Sequence, residues 1–419
     1  MSSDSESSSI LGRHSNNQAL AGVKVLDFGW AIAGAVTAKY LGDYGAEVIK
    51  IESISRPDLA RMNRNISLSK ADNPDDKPWY VILNTSKFGI RLNIRHPRAR
   101  GVIDKLIHWA DVINENFVPG TLAKLGYDYE YARTINPGVI MVSASAFGQI
   151  GPYASEWGID STGSAASATL DLTGWQDRGP SGPQYPFGDC TIPFISVMAV
   201  VAALDYRRRT GKGQHIDTAM IDLCTHPVAP ALLDWQVNGH LQTRSGNRIP
   251  NAAPHGVFPC RGEDRWCAIA VFTEREWDAF CRAIGSPSWT QDERFATLQL
   301  RKEKEDALEE LVSEWTRQRT AEEVMALLQQ AGVVAGVVQT AQDLLDRDPQ
   351  FRERRALARL NHPVLGDFGH PTPPFKLLKT EHQVRTAPCL GEHLEHVCTQ
   401  MLGMSDEEFM ELFTEGVFE

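Results

Sequence analysis

Residues 23–52 read VKVLDFGWAIAGAVTAKYLGDYGAEVIKIE, and this stretch decides the fold. Its opening run, VKVLDFG, is apolar nearly throughout, as a strand buried on both faces should be. Ala33 to Tyr44 then carries apolar residues at helical spacing, Gly45 supplies a helix stop, and AEVIKIE is a second strand. Strand, helix and strand in this order form a βαβ unit, whose two strands run parallel. The same alternation continues outward, with an amphipathic helix expected over 96–110, a strand at DVINEN, helix over 123–135 and a strand at VIMVSASAF. A mostly parallel sheet with helices on both faces is the expected core.

From Gly148 to Gly188 the chain is rich in Gly, Pro and Ser, which reads as loops lining a site. The apolar run Thr191–Leu204 is too short for a bilayer and leads into Asp205 and Arg207–Arg209, so it is expected to be a buried core helix. RRRTGKGQ reads as a turn, HIDTAM as a strand and 221–237 as a helix of the same domain. A polar crossover follows over 238–254. From 255 to 339 the texture changes to a hairpin, FPCRGEDRWCAIAV, and charged helices such as RKEKEDALEELVSEWTRQR, which mark a smaller domain. The last stretch, 340–419, has short strands broken by Gly and Pro and two helices.

Bulk properties narrow the function. The chain has 419 residues, 42% of them hydrophobic, enough for a large core in two domains. Its formal net charge of -11 argues against nucleic acid or an anionic membrane surface as partner, so a phosphate-bearing ligand would rely on a few local cations. Seven cysteines (190, 224, 260, 267, 281, 389 and 398) form no CxxC pair, which suits a reducing cytoplasm and suggests neither a disulfide framework nor a zinc ribbon. The opening MSSDSESSSILGRHSNNQ lacks the order of a secretory signal and is expected to be a disordered tail over 1–19.

Several candidate sites can be weighed. Glu52 ends the second strand where a ribose-binding acid would lie, but Gly29 and Gly34 are separated by WAIA, so no GxGxxG exists and a nicotinamide site is disfavoured. His393 and His396 beside Glu392 and Glu395 lack the spacing of a catalytic zinc site, and a solvated helix start is the better reading. Asp217 and Asp222 have no separation that sequence can give. Asp189 follows GPSGPQYPFG and precedes the apolar helix, the position of an N-cap. A helix N-terminus also favours an ionised carboxylate, and such a carboxylate beside an access loop can serve as a covalent acyl acceptor.

With these residues in view, the chain resembles the class III CoA transferases, a superfamily including formyl-CoA transferase, carnitine-related CoA transferases and α-methylacyl-CoA racemases. The resemblance runs from about Leu20 to the C-terminus through LAGVKVLDFGWAIAG, YLGDYGAEVIKIES, DVINENFVPGTLAKLG, NPGVIMVSASAFGQIGPY, GDCTIPF, RRRTGKGQHIDTAMID and APCLGEH. Within it, the continuation into RPD and the later HGVFPCRGEDRWCAIAVFT look most similar to the succinyl-CoA:benzylsuccinate type. The resemblance implies that Asp189 attacks an acyl-CoA carbonyl to give a mixed anhydride, then becomes an aspartyl-CoA thioester, with a Gly-rich loop stabilising the oxyanions. It also implies CoA contacts at Ala31, Ile32, Ala33, Leu92, Asn116 and Phe117. Where the family carries a cation after the second strand this chain has Ser53, so Arg56 is expected to meet the 3′-phosphate, and Lys124 stands where the family has an arginine. CoA and acyl-CoA enter as substrates, with no tightly bound cofactor and no metal expected.

Departures select the reaction. The racemases carry GHD, whereas this chain has Gly158, Ile159 and Asp160, and Ile159 cannot accept a proton. The glycine-rich flap of formyl-CoA transferase is missing after Asn238, which disfavours formate and oxalate. The expected architecture is a Rossmann-like α/β large domain (20–237, joined again by 340–419), a linker (238–254) and a smaller α+β domain (255–339), in an interlocked homodimer or a heterodimer with a paralogous subunit. The expected activity is CoA transfer, with succinyl-CoA as donor and an aryl-substituted dicarboxylic acid as acceptor, in the cytoplasm. Trp157, Trp175, Tyr185 and Phe187 would suit a ring. Racemisation, and a non-catalytic nucleotide-binding module, are the alternatives; Ile159 speaks against the first and Asp189 against the second.

Overall fold

A computed structural model describes residues 17–62, 73–182 and 185–419, so the tail expected at 1–19 lies almost wholly outside the described residues. The chain divides into two compact units. The first runs to Leu170, resumes over Gly182–His240 and closes with Arg354–Glu419; the second comprises Asp171–Ser181 and Leu241–Glu353.

The first unit is built on a six-stranded sheet of β1 (Lys24–Asp27), β2 (Glu47–Glu52), β3 (Phe88–Arg91), β4 (Val112–Glu115), β5 (Ile140–Ser145) and β6 (Gln214–Ala219). The order is β3-β2-β1-β4-β5-β6 and every pairing is parallel. Successive residues of a strand point to opposite faces. Val25, Val112, Ile140 and Val142 therefore meet the helices Ala33–Asp43 and Phe187–Thr210 on one face. Leu26, Ile113 and Met141 meet the helix Ala99–Trp109 and the C-terminal Val397, Leu412 and Phe418 on the other. The order reverses between β1 and β4, and in such sheets ligands bind beyond the carboxyl ends of the strands at that switch point.

Three local expectations change. Strand β3, which the pattern did not reveal, spans only FGIR with a glycine inside it. The Gly/Pro/Ser-rich stretch after Gly148 contains the short helices Asp160–Ala166 and Thr169–Leu172. The apolar helix is longer than Thr191–Leu204: it spans Phe187–Thr210, takes in Arg207–Arg209 as its basic last turn, and ends at Gly211 with φ 74°. Only one face is buried, through residues including Ile192, Ser196, Val200 and Ala203, while Met198 stays 65% exposed. Pro193 lies inside it and has no N–H to offer the carbonyl of Asp189, four residues back.

The second unit has a three-stranded antiparallel sheet, His255–Pro259, Trp266–Ala270 and Val334–Val337. The helices Glu274–Ala283, Glu305–Thr316 and Ala321–Gln330 close over it on a core including Phe258, Phe280, Phe295, Leu308 and Val312. Thr273 and Thr320 each accept from the backbone N–H of a glutamate three residues on, whose side chain reaches back, forming two capping boxes.

Candidate active site

The loop after β1 is tied down residue by residue. Asp27 Oδ1 accepts from Gly29 N and Asn114 Nδ2, both at 2.8 Å, while Lys87 donates to Asp27 Oδ2 at 2.8 Å. Lys50, fully buried, donates to Gly29 O and pairs with Asp58 at 2.9 Å. Burial works against its charge, but the carboxylates of Asp58, Asp27 and Glu52 outweigh burial and raise its pKa. Asp58, the last residue of RPD, also accepts from Ala31 N at 3.0 Å and so holds Ala31 at φ 54°, a left-handed conformation costly to a residue with a Cβ.

The glycines here serve close approach. A Cβ on Gly34 would sit 2.5 Å from Asn116 Oδ1, and one on Gly29 would sit 2.6 Å from the Gly34 carbonyl carbon. They let the loop fold back on its helix and onto β4. Glu52, at the edge of the second cavity described below, has its carboxylate committed within the protein. It takes Arg61 in a fork at 2.9–3.2 Å and the Tyr80 hydroxyl at 2.7 Å, deep inside the protein. Burial alone would raise its pKa, but Arg61 and Lys50 bring it below the usual value.

From β4 comes the Asn-Phe step. Asn116 Oδ1 accepts from Trp30 N at 2.8 Å and its Nδ2 donates to Trp30 O at 3.1 Å, so both ends of the amide clamp one residue of the β1 loop. Phe117 meets the Trp30 indole edge-on, with ring centres 5.5 Å apart. Beneath it, buried Glu115 accepts from Phe117 N at 2.8 Å, and burial pushes its carboxyl up to about 7.

A cavity of about 440 Å³ opens over this edge of the sheet, lined by residues including Trp30, Ala31, Ala33, Arg56, Asn116, Phe117, Trp157, Ile159 and Asp189. A second, of about 340 Å³, shares Trp30, Arg56, Phe117 and Thr121 with it and adds Leu92, Ser53, Ser55 and Arg95. Of the residues singled out in the sequence, Asp189, Ala31, Ala33, Arg56, Asn116 and Phe117 thus meet in one cavity, and Leu92 lies in the adjoining one. Ile32 is the N-cap of the helix Ala33–Asp43, and Lys124 sits exposed on the helix Thr121–Leu125; neither lines the two cavities. Among the aromatics, Trp157 lines the first cavity and is 80% exposed. Phe187 packs beside Ala33, Ile192 and Met220, Tyr185 is exposed, and Trp175 lies against Gly246 within the second unit.

Asp189 is not the N-cap. Pro186 holds that position, and Asp189 is the third residue of the helix Phe187–Thr210. The helix end is capped by Asp160, whose Oδ1 accepts from Gly188 N at 2.6 Å and Asp189 N at 3.1 Å. The helix terminus does not hold Asp189 below the ordinary carboxylate range. Burial first, and the Asp160 carboxylate second, push Asp189 up from 3.8 to about 6. Asp160, Asp58, Lys50, Glu115 and Arg95 were not assigned roles in the sequence: Asp160, Asp58 and Lys50 act through contacts that the fold creates, and Glu115 and Arg95 draw their surroundings from burial and a cavity wall. His393, read as part of a solvated helix start, accepts from Gly89 N at 3.2 Å through Nδ1 and packs edge-on against Phe88.

The sheet is doubly wound, the clefts at its switch point carry Arg56 and Arg95 on their walls, and a partly buried carboxylate, Asp189, stands at a helix start beside them. The chain belongs to CoA-transferase family III, whose model matches residues 20–394. It is 31% identical over 387 residues to the succinyl-CoA–D-citramalate CoA-transferase of Chloroflexus aurantiacus, covering 92% of this chain and 94% of that one. It is 28% identical over 422 residues to the formyl-CoA:oxalate CoA-transferase of Rhodopseudomonas palustris, covering 96% and 98%. Among solved structures, a CAIB/BAIF family protein from Brucella suis superposes with a TM-score of 0.83 at 31% identity, over 92% of this chain and all of the other. This is a CoA-transferase of class III, with CoA thioesters as substrates.

Proposed function

We propose that this enzyme moves CoA from succinyl-CoA to an organic acid through covalent chemistry on Asp189. The observation that carries the reading is the position of Asp189 on the wall of the cavity that also holds the β1 loop and the Asn116-Phe117 step. The CoA nucleotide takes the adjoining cavity, where Arg56 and Arg95 meet its phosphates and Leu92 and Phe117 its apolar parts. An Asp189 oxygen attacks the thioester carbonyl, the C–S bond breaks, and CoA thiolate leaves with the electron pair. The thiolate then attacks the Asp189 carbonyl of the mixed anhydride, releasing the donor carboxylate and leaving aspartyl-CoA. The acceptor carboxylate attacks that thioester, and returning thiolate attacks the acceptor acyl carbon, freeing Asp189. No proton is gained or lost over the cycle.

Succinyl-CoA as donor is supported by the name of the relative from Chloroflexus aurantiacus. An aryl-substituted dicarboxylate as acceptor is supported by Trp157, Phe147 and Ile159 on the cavity wall. Ile159, 58% exposed, offers no proton acceptor, which speaks against racemisation. An interlocked dimer, of two copies or with a paralogous subunit, is supported by the uncovered apolar side chains Met198 and Val201 on one helix and Leu233, Trp235 and Val237 on another.

Intact-protein mass spectrometry after brief incubation with succinyl-CoA, with hydroxylamine trapping, tests the mechanism. A CoA-sized adduct on the wild type, converted to the hydroxamate with release of CoA when hydroxylamine is added, is expected, and neither form on Asp189→Ala. Adduct formation of equal yield in both proteins, or in neither, would remove Asp189 from the mechanism.

A further inference from the structure

Asp160 and Asp189 are two carboxylates brought to one helix start, and only one of them faces the cavity as a lining group. The other spends an oxygen on the two amides of that start. Its own position is fixed from behind: Ile159 N donates to Thr162 Oγ1 at 2.9 Å, and that hydroxyl donates back to Ile159 O at 2.7 Å. Gly188 makes the approach possible. A Cβ there would lie 2.5 Å from Met220 Cγ and 3.1 Å from Asp160 Oδ1, so a larger residue would require both side chains to give way.

We propose that Asp160 is the positioning residue of the nucleophile, capping the helix that carries Asp189 and claiming the first-turn amides that would otherwise be open to the Asp189 carboxylate. This rests on the reading of Asp189 as nucleophile. The consequence is chemical as well as structural. A carboxylate at the third helical position would ordinarily draw on the helix terminus and become a weaker base. Here a fixed negative charge occupies the terminus, so Asp189 keeps both oxygens free of hydrogen bonds among the described residues and stays basic, and nucleophilic strength rises with basicity. Asp160 is the charged group that acts on Asp189; the thiols of Cys190, on the same helix, and Cys224, on the helix Met220–Thr225, are the other titratable groups coupled to it.

Two substitutions separate positioning from charge. Asn at 160 keeps an oxygen that can accept from both amides but carries no charge; Ala removes both. The readout is the rate of CoA-adduct formation at Asp189 from succinyl-CoA, by rapid quench and mass spectrometry across pH 4–9, beside the thermal midpoint of each full-length variant. For Asp160→Asn the acid limb of the profile should move to lower pH, stopping short of the ordinary aspartate range because burial remains, while the plateau falls and the midpoint stays close to wild type. For Asp160→Ala the plateau should fall on the order of 10²-fold through misplacement of the reacting oxygen. An Asp160→Asn acid limb at the wild-type pH with an unchanged plateau overturns the proposal, whatever its midpoint. Adduct formation surviving in Asp189→Ala would instead remove the nucleophile reading on which the proposal stands.

Discussion

Replacing Asp189 with asparagine should make the protein more stable at neutral pH while abolishing adduct formation. The folded protein holds this carboxyl at about 6 against an ordinary 3.8, burial being the larger cause and Asp160 the smaller. The interval corresponds, at about 1.4 kcal/mol per pH unit, to a ceiling of about 3 kcal/mol spent on keeping the group ionised at pH 7 and above. Partial exposure screens part of this, and the asparagine amide has its own burial cost, so a gain of roughly 1–2 kcal/mol is expected. The sign follows from proton binding. The folded carboxyl binds its proton more tightly than the unfolded one, so its favourable contribution is full below about pH 4 and lost as pH rises through about 6. Thermal midpoints of wild type and Asp189→Asn should therefore converge at the acid end and separate with rising pH, the variant being the higher. A variant equal to or less stable than wild type at pH 7.5, or a difference that does not change between pH 4 and 7.5, would refute the account of how Asp189 is held.

Three further outcomes follow from the site. Asn116→Ala removes both hydrogen bonds to Trp30 and leaves part-buried backbone groups without that partner, so calorimetric CoA affinity should fall roughly 5- to 100-fold, for about 1–3 kcal/mol. Arg95→Ala should weaken CoA binding about tenfold, as expected for one lost charge-assisted contact, and affect dephospho-CoA less if the arginine meets the 3′-phosphate; equal losses would place it elsewhere on the nucleotide. Glu52→Gln leaves the Arg61 guanidinium buried without its fork partner and should cost about 3–5 kcal/mol in urea unfolding, with no compensating gain at any pH between 5 and 9.

Strands β1, β2, β4 and β5 were legible because each is a short, largely apolar run bounded by turn residues or by a periodic helix, and the more polar β6, QHIDTA, because it follows the turn RRRTGKGQ. Strand β3 was not, since FGIR is too short and too mixed to show a period. Around the site, Asp189 stood out by its place between a Gly/Pro-rich loop and an apolar run, yet its role at the helix start was misread. The cap comes from Asp160, 29 residues away, and nothing in the spacing of two aspartates announces a shared helix end. The same holds for Asp58. RPD could be quoted as a family mark, but its work on Ala31 N and Lys50 becomes visible only when β2 and the β1 loop lie side by side. The Gly29 and Gly34 pair looked like a failed dinucleotide motif; each is a space-filling necessity against Asn114 and Asn116.

Pro193 gives the nucleophile's helix a seam. Because it cannot donate to the Asp189 carbonyl, the hydrogen-bond ladder is open one turn into the helix. Under the proposed mechanism the side chain of Asp189 is in turn a bare carboxylate, an anhydride and a thioester tethered to a large nucleotide, so its bulk and direction of pull change at every step. A first turn hinged at its own proline can follow that changing cargo by small rotations, while the turns beyond, seated on the sheet through Val200 and Ala203, remain a fixed mount.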